Sequence, residues 1–222
     1  MQNSNTMKYD TIIFDMDGVL FDTEAFYFER RMAFFKSKGI KVDHLTPTLF
    51  VGGRVGQVWE KVLGEDIAHW DVEALAAAYA QHKVNNPTPY LDWIFPDTKG
   101  ILEQLHQAGV RLGLASNSSR ADITRALETS GLIAYFDCIL SGDDCQAEKP
   151  SPEIYEKACE QLHCHKERTL VVEDSSRGIE AGKAAGLTVW AVKDTRYGMD
   201  QSAADRQIMN LTELANLVLS KK

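Results

Sequence analysis

The sequence predicts an α/β fold in which helices cover both faces of a parallel sheet. Two observations carry this prediction: short apolar runs rich in β-branched residues recur along the chain, and amphipathic stretches separate them. Each apolar run is too short for a helix and is typical of a buried strand. The five predicted strands are Thr11–Phe14, Arg111–Ala115, Cys138–Leu140, Thr169–Val172 and Thr188–Val192.

Four amphipathic stretches alternate with the strands from the second onward. Several begin with Ser or Asp, which cap helix N-termini, and three end directly before a glycine. Because strand and helix alternate, we expect right-handed crossovers and a doubly wound sheet. The predicted helices are Asp97–Ala108, Ser119–Ser130, Ser151–Leu162 and Ser175–Ala185.

One interval, from Thr23 to Pro96, interrupts this alternation. It contains no convincing strand, and its patterns are helical. We therefore expect two units: a core formed by residues 1–22 and 97–222, and a helical unit, residues 23–96, inserted directly after the first strand. The predicted helices of the insertion are Glu24–Lys38, Val55–Leu63 and Val72–His82.

The composition excludes several classes of protein. Hydrophobic residues make up 44% and charged residues 25% of the 222 residues, which is typical of a globular protein. Asp and Glu outnumber Lys and Arg by 32 to 24, so neither nucleic acid nor an anionic membrane is an expected partner. The polar N-terminus and the absence of a long apolar run predict a soluble, cytoplasmic protein.

Four cysteines occur, and no two of them form a C-x-x-C pair. We expect free, largely buried thiols and neither a disulfide framework nor a zinc site. These residues are Cys138, Cys145, Cys159 and Cys164.

Carboxylates follow two of the predicted strands. Asp15 and Asp17 come directly after the first strand, and Glu173 and Asp174 come after the fourth. Open α/β sheets bind ligands outside the carboxyl ends of their strands. Acids gathered there repel one another unless a cation lies among them, and oxygen ligands suit Mg²⁺. The sequence therefore predicts Mg²⁺ as a cofactor.

Helix and turn capping is the competing explanation for these acids. Asp22 and Ser175 fit that explanation well. It is weaker for Asp15 and Asp17, because isolated caps do not need a second pair of acids on another strand.

Four short motifs in this order resemble those of the haloacid dehalogenase superfamily of hydrolases, in its branch with a helical cap. The resemblance covers nearly the whole chain after Lys8. Within the superfamily, the chain is similar to β-phosphoglucomutase-like and phosphoglycolate phosphatase-like enzymes. It implies a Rossmann-like doubly wound core with an inserted α-helical cap domain. The motifs are Asp15-Met16-Asp17-Gly18-Val19-Leu20-Phe21-Asp22, Ser116-Asn117-Ser118, Lys149-Pro150, and Glu173-Asp174-Ser175 through Gly178.

The resemblance also implies catalytic roles. Asp15 would attack phosphorus and become an aspartyl phosphate, and Asp17 would act as general acid and then general base. Ser116, Asn117 and Lys149 would bind the phosphate oxygens. For Lys149, the competing explanation is an ordinary solvated lysine.

The implied metal ligands come from the first and fourth motifs. Asp15, Asp174 and the main-chain carbonyl of Asp17 would bind Mg²⁺ directly. Glu173 would act through a water molecule.

The inserted helical cap is expected to select the substrate. Arg54, Lys83 and Tyr27 are the candidate residues, although a glycine turn around Arg54, an exposed charge at Lys83 and cap packing of Tyr27 with Phe28 are competing explanations.

The resulting functional hypothesis is a Mg²⁺-dependent phosphatase, favoured as a monomer, that acts on a small phosphorylated metabolite such as a sugar phosphate. The alternative is β-phosphoglucomutase-like transfer between sugar hydroxyls. Such mutases have a His soon after the Asp-Thr pair, and no His follows Asp22 and Thr23 here; Arg54 also aligns one position away from their cap arginine.

Two lesser alternatives remain. A phosphonate-cleaving enzyme would need a Schiff-base lysine early in the cap, where Lys36, Lys38 and Lys41 are available. A catalytically silent protein that binds phosphorylated metabolites would carry the same motifs without turnover.

Overall fold

The protein is described by a computed structural model that covers residues 7–51 and 58–220. Within these residues, six strands form one sheet in the order β3-β2-β1-β4-β5-β6, with every neighbouring pair parallel. The predicted parallel α/β sheet is confirmed. The strands are β1 (Thr11–Phe14), β2 (Arg111–Ser116), β3 (Cys138–Ser141), β4 (Thr169–Glu173), β5 (Thr188–Val192) and β6 (Arg206–Ile208).

The predicted helices of the core agree with the structure to within two residues at each end. Of the predicted helix Val55–Leu63, the last five residues are helical, and residues 55–57 lie outside the described part of the chain. No described helix has the length and apolar character needed to cross a membrane. The helices are α1 (Glu24–Ser37), α2 (Trp59–Leu63), α3 (Val72–Asn85), α4 (Tyr90–Trp93), α5 (Thr98–Gln107), α6 (Arg120–Ser130), α7 (Glu153–Gln161), α8 (Ser176–Ala184) and α9 (Leu211–Leu219).

Side chains alternate between the two faces of the sheet along each strand, and helices bury both faces. Ile12 and Phe14 of β1 pack on one side with apolar residues of α5, α6 and α9. Ile13 packs on the other side with residues of α7 and α8. β1 lies inside the sheet, and its carboxyl end lies between those of β2 and β4.

The inserted helices have an apolar cluster of their own. Phe34 and Phe35 of α1 pack with Trp59 of α2 and Tyr79 of α3, and Phe28 lies at the edge of this cluster. Packing within the inserted helices is thus the observed contact of Phe28.

Polar contacts join the inserted helices to the core on two sides. Lys83 of α3 donates to Asp122 of α6 at 2.8 Å. The hydroxyl of Thr48 donates to the main-chain oxygen of Tyr197 at 2.6 Å. The inserted segment therefore contacts the core at α6 and at the loop that follows β5.

The four cysteines are free, as predicted. Burial raises the pKa of Cys138 to about 11 and that of Cys159 to about 12. Thiols with such pKa values are almost entirely protonated near neutral pH, so their role is packing.

Candidate active site

The register of the sheet brings the predicted acids together. Phe14 of β1 pairs with Val172 of β4, and the N–H of Asp15 donates to the oxygen of Val172 at 2.9 Å. Asp15 and Glu173, the next residue on each strand, therefore lie side by side at the carboxyl ends of β1 and β4. Both side chains are buried, and Glu173 is fully so.

Lys149 lies inside this group of acids and is only 2% exposed. Its ammonium donates to Asp15 Oδ1 at 2.7 Å, to Glu173 Oε1 at 2.7 Å and to the main-chain oxygen of Ala115 at 2.8 Å. Burial alone would lower the pKa of Lys149, but the Asp15 and Glu173 carboxylates raise it well above its ordinary value. Lys149 is therefore a buried lysine bonded to two carboxylates and a main-chain oxygen, and not a solvated lysine.

Asp15, Glu173 and Asp174 each place a carboxylate oxygen within 4.8 Å of the other two. Burial, followed by repulsion from Glu173 and Asp15, raises the pKa of Asp174 well above its ordinary value. A Cβ at Gly18 would lie 2.0 Å from Asp174 Oδ2, so the loop after β1 closes directly over this carboxylate. Three hard oxygen donors this close together fit a divalent metal ion such as Mg²⁺.

Both oxygens of Glu173 accept hydrogen bonds. Oε1 accepts from Lys149 and, at 2.7 Å, from the hydroxyl of Tyr155. Oε2 accepts from the main-chain N–H of Asp174 at 3.1 Å and from the N–H and hydroxyl of Ser175 at 3.3 and 3.2 Å. The sequence reasoning missed Tyr155, which is fully buried on α7.

Asp17 is held by hydroxyl groups from both parts of the molecule. Thr23, next to α1, donates to Oδ1 at 2.5 Å, and Ser118 of the core donates to Oδ2 at 2.8 Å. Burial raises the pKa of Asp17, and hydrogen bonds from Thr23, Ser118 and Tyr27 partly oppose this effect. A carboxyl group in this environment holds a proton more readily than a solvated aspartate does.

The second and third motifs are joined by hydrogen bonds. Asn117 Oδ1 accepts from the main-chain N–H of Lys149 at 3.1 Å. Ser116, the last residue of β2, accepts from the N–H of Ser118 at 3.1 Å. The second motif, Ser116 to Ser118, lies just before the N-terminus of α6, which Ser119 caps.

The structure thus gathers Asp15, Asp17, Ser116, Asn117, Lys149, Glu173 and Asp174 at one edge of the sheet. Tyr27 approaches Asp17 and lies 3.2 Å from the Tyr90 hydroxyl. Lys83 pairs with Asp122, and Arg54 lies outside the described residues.

The two expected capping residues have different outcomes. Ser175 accepts from the N–H of Gly178 and caps α8. The capping explanation of Asp22 is wrong, because the N-cap residue of α1 is Thr23 and the Asp22 carboxylate accepts from Arg196 with both oxygens. An ion pair across so many residues leaves no local sequence signal.

This fold and this arrangement of motifs define a hydrolase family. Residues 12–192 match the model of the haloacid dehalogenase-like hydrolases, and the chain belongs to that family. The Thermotoga maritima phosphorylated carbohydrates phosphatase is 33% identical over 181 residues, covering 80% of this chain and 82% of the relative. The Aquifex aeolicus phosphoglycolate phosphatase is 32% identical over 186 residues, covering 81% and 84%.

A solved structure shows the same fold. The Clostridium difficile β-phosphoglucomutase matches with a TM-score of 0.78 at 22% identity, covering 93% of each chain. Together with the family match and the phosphatase relatives, this identifies a phosphoryl-transfer enzyme of the haloacid dehalogenase-like family.

Proposed function

We propose that the protein is a Mg²⁺-dependent phosphatase that hydrolyses a small phosphorylated metabolite, such as a sugar phosphate, through an aspartyl phosphate on Asp15. The observation that carries this proposal is the placement of Asp15 between the Lys149 ammonium and the Asp174 carboxylate. Relatives that act on phosphorylated carbohydrates and on phosphoglycolate support the substrate class.

Asp15, Asp174 and the main-chain carbonyl of Asp17 would hold Mg²⁺. The hydrogen bonds that already occupy both oxygens of Glu173 favour its acting through water. When bound, the ion offsets the negative charge that otherwise repels a phosphate from Asp15.

In the first step, a carboxylate oxygen of Asp15 attacks phosphorus, and the bond between phosphorus and the ester oxygen breaks. Asp17 gives its proton to the departing alkoxide, which leaves as an alcohol. Lys149 and the Ser116 hydroxyl, with the N–H groups around Asn117, bind the phosphoryl oxygens.

In the second step, a water molecule attacks the phosphorus atom of the aspartyl phosphate. Asp17, now ionised, accepts the proton of that water, and inorganic phosphate leaves as the Asp15 carboxylate is restored. The raised pKa of Asp17 suits a group that is protonated in one step and ionised in the next.

We propose that residues 23–96 act as a cap unit over this site, with residues 1–22 and 97–222 as the catalytic core. The hydrogen bond from Thr23 to Asp17 supports this division, since it ties the first cap residue to the acid/base group. Closure of the cap would exclude water and orient Asp17 at the same time.

The test is an assay of phosphate release from p-nitrophenyl phosphate, followed by phosphorylated sugars and short phosphorylated acids. We expect turnover with Mg²⁺ and its loss with EDTA. Isomerised product is scored separately from free phosphate. Dominant isomerisation of a hexose 1-phosphate would replace the phosphatase by the mutase alternative, and full activity in EDTA would contradict the metal dependence.

A further inference from the structure

Arg31 of α1 is a buried cation with unused hydrogen-bond donors. The residue is 8% exposed. Neither Nε nor Nη1 has a hydrogen-bond partner in the described part of the chain. Among the ion pairs formed by residues 7–51 and 58–220, none involves Arg31. Because a guanidinium stays charged in proteins, these buried donors carry a charge that nothing described here offsets.

The neighbouring Arg30 also has a buried Nε without a partner among the described residues, but hydrogen bonds anchor the rest of its guanidinium. Its Nη1 donates to the main-chain oxygen of Asn86 and to the hydroxyl of Thr88, both at 3.1 Å. These bonds fasten α1 to the segment that follows α3. Arg31 makes no comparable bond to the described residues.

Arg31 lies on the side of α1 that approaches the acid/base group. Tyr27 precedes it by one helical turn, and long helical side chains lean towards the N-terminus of their helix. The guanidinium carbon of Arg31 accordingly lies 5.7 Å from the centre of the Tyr27 ring. Tyr27 itself contacts Asp17. One aromatic ring therefore separates Arg31 from the proposed site of proton transfer.

A second ring, that of Phe50, lies 5.1 Å from the same guanidinium carbon. Contact with ring faces stabilises the cation but uses none of its N–H donors, which point outward in the guanidinium plane. That plane matches the two oxygens of a carboxylate or phosphate, which it can bind through two parallel hydrogen bonds. Tyr27 and Phe50 thus pack against the guanidinium of Arg31 and leave its Nε and Nη1 donors without a partner among the described residues.

We propose that Arg31 binds a second anionic group of the substrate, so that the substrate is a phosphate ester with a carboxylate or a second phosphate at its far end. This inference rests on the proposed phosphatase function and makes its substrate class narrower. A neutral sugar end would leave the charge of Arg31 without a counterion. An anionic end would supply the counterion while Lys149 and the metal site take the reacting phosphate.

The experiment measures binding in the Asp15→Asn protein with Mg²⁺, so that turnover does not interfere. Calorimetry compares two matched pairs of ligands: 3-phosphoglycerate with glycerol 3-phosphate, and fructose 1,6-bisphosphate with fructose 6-phosphate. The first pair tests a carboxylate, and the second tests a second phosphate. Arg31→Gln, Arg31→Lys and the control Arg30→Gln are each added to the Asp15→Asn protein.

We expect the more anionic member of at least one pair to bind about 10- to 100-fold more tightly, the range that hydrogen bonds to charged groups contribute. Arg31→Gln should abolish this preference and Arg31→Lys should retain part of it. Arg30→Gln should lower stability but keep the preference, because Arg30 only fastens the cap.

Equal affinity within both pairs, no binding of any of the four ligands, or a preference that survives Arg31→Gln would overturn the inference. The proposed function is judged separately, by turnover of p-nitrophenyl phosphate by the unaltered protein. Because binding is measured without turnover, either proposal can fail while the other stands.

Discussion

The Lys149 ammonium lies 2.7 Å from Asp15 Oδ1 and 2.7 Å from Glu173 Oε1, so one buried cation joins the ends of two adjacent strands. Tyr155 completes this contact, since its hydroxyl donates to Glu173 Oε1 and its ring centre lies 4.8 Å from Lys149 Nζ. The proposed nucleophile is therefore positioned by the core before any ligand binds.

Replacing Lys149 should affect both stability and catalysis. Lys149→Met leaves two buried carboxylates without their cation, and we expect the free energy of unfolding to fall by about 3–5 kcal/mol. Removing a preorganised charge should also lower kcat by roughly 100- to 1,000-fold. Urea unfolding in EDTA and assays with Mg²⁺ measure the two effects.

The matched control is Lys183→Met. Lys183 pairs with Asp205 at 2.7 Å, but this pair is partly exposed, so we expect a loss of only about 0–1 kcal/mol. Equal stability of the two variants would show that the buried cation is not needed to hold the acids together.

Thr23 should control the rate of the chemical steps through Asp17. Thr23→Val keeps the side-chain shape but removes the hydroxyl that donates to Asp17 Oδ1. We expect kcat to fall about 10- to 100-fold with little change in KM. The lost hydrogen bond acts on the group that transfers the proton and not on the binding of the substrate. Steady-state kinetics on a sugar phosphate measure this, and Thr23→Ser should restore most of the rate. Failure of the serine variant to do so would point to cap packing instead.

Gly178 should be required because Glu173 occupies the space of its missing side chain. A Cβ at Gly178 would lie 1.8 Å from Glu173 Oε1, so Gly178→Ala must displace this carboxylate. We expect weaker Mg²⁺ binding and lower activity, measured by calorimetry and by phosphate release.

Gly100 provides the comparison for that variant. It lies within α5, and a Cβ there would meet no atom of the described residues within 4 Å beyond its own turn of helix. Gly100→Ala should raise the free energy of unfolding by roughly 0.5–1 kcal/mol and leave Mg²⁺ binding as it is. Identical behaviour of the two variants would contradict the packing of Glu173 against α8.

Glu153 should make stability depend on acidic pH. Its hydrogen bonds with Lys157 and with the main-chain N–H groups of Gln146 and Ala147 lower its pKa from 4.5 to about 2. A lowered pKa in the folded state means that the contribution is complete above pH 4.5 and is lost as the pH falls towards 2. The stability difference between the unaltered protein and Glu153→Gln should therefore shrink between pH 6 and pH 3 in urea unfolding. A difference that is constant or larger at pH 3 would contradict this assignment.

Local patterns in the sequence were sufficient to predict the five longer strands and the acids at the carboxyl ends of β1 and β4. They were insufficient for β6, whose three residues lie at the sheet edge with Arg206 and Gln207 exposed, so no apolar run marks it. Tyr155 and Arg31 were missed for a different reason. Each lies on a helix whose pattern accounts for it as packing, and only the tertiary structure shows what its polar end contacts.

The order of the strands also required the structure. Nothing local in the sequence states that β1 lies between β2 and β4, and this position is what brings Lys149, Asp15 and Glu173 together. The motifs predicted which residues matter through resemblance, whereas the contacts explain how the charges are balanced.

In the proposed mechanism, Asp15 carries the phosphoryl group during turnover. In Asp17→Asn, p-nitrophenyl phosphate should still phosphorylate the enzyme, because p-nitrophenolate leaves without a proton, while hydrolysis slows for lack of a base. Rapid acid quenching followed by peptide mass spectrometry should find the phosphoryl group on Asp15, with a matching burst of p-nitrophenol that Asp15→Asn lacks. A phosphoryl group on another residue, or continued turnover with none on the enzyme, would contradict the account.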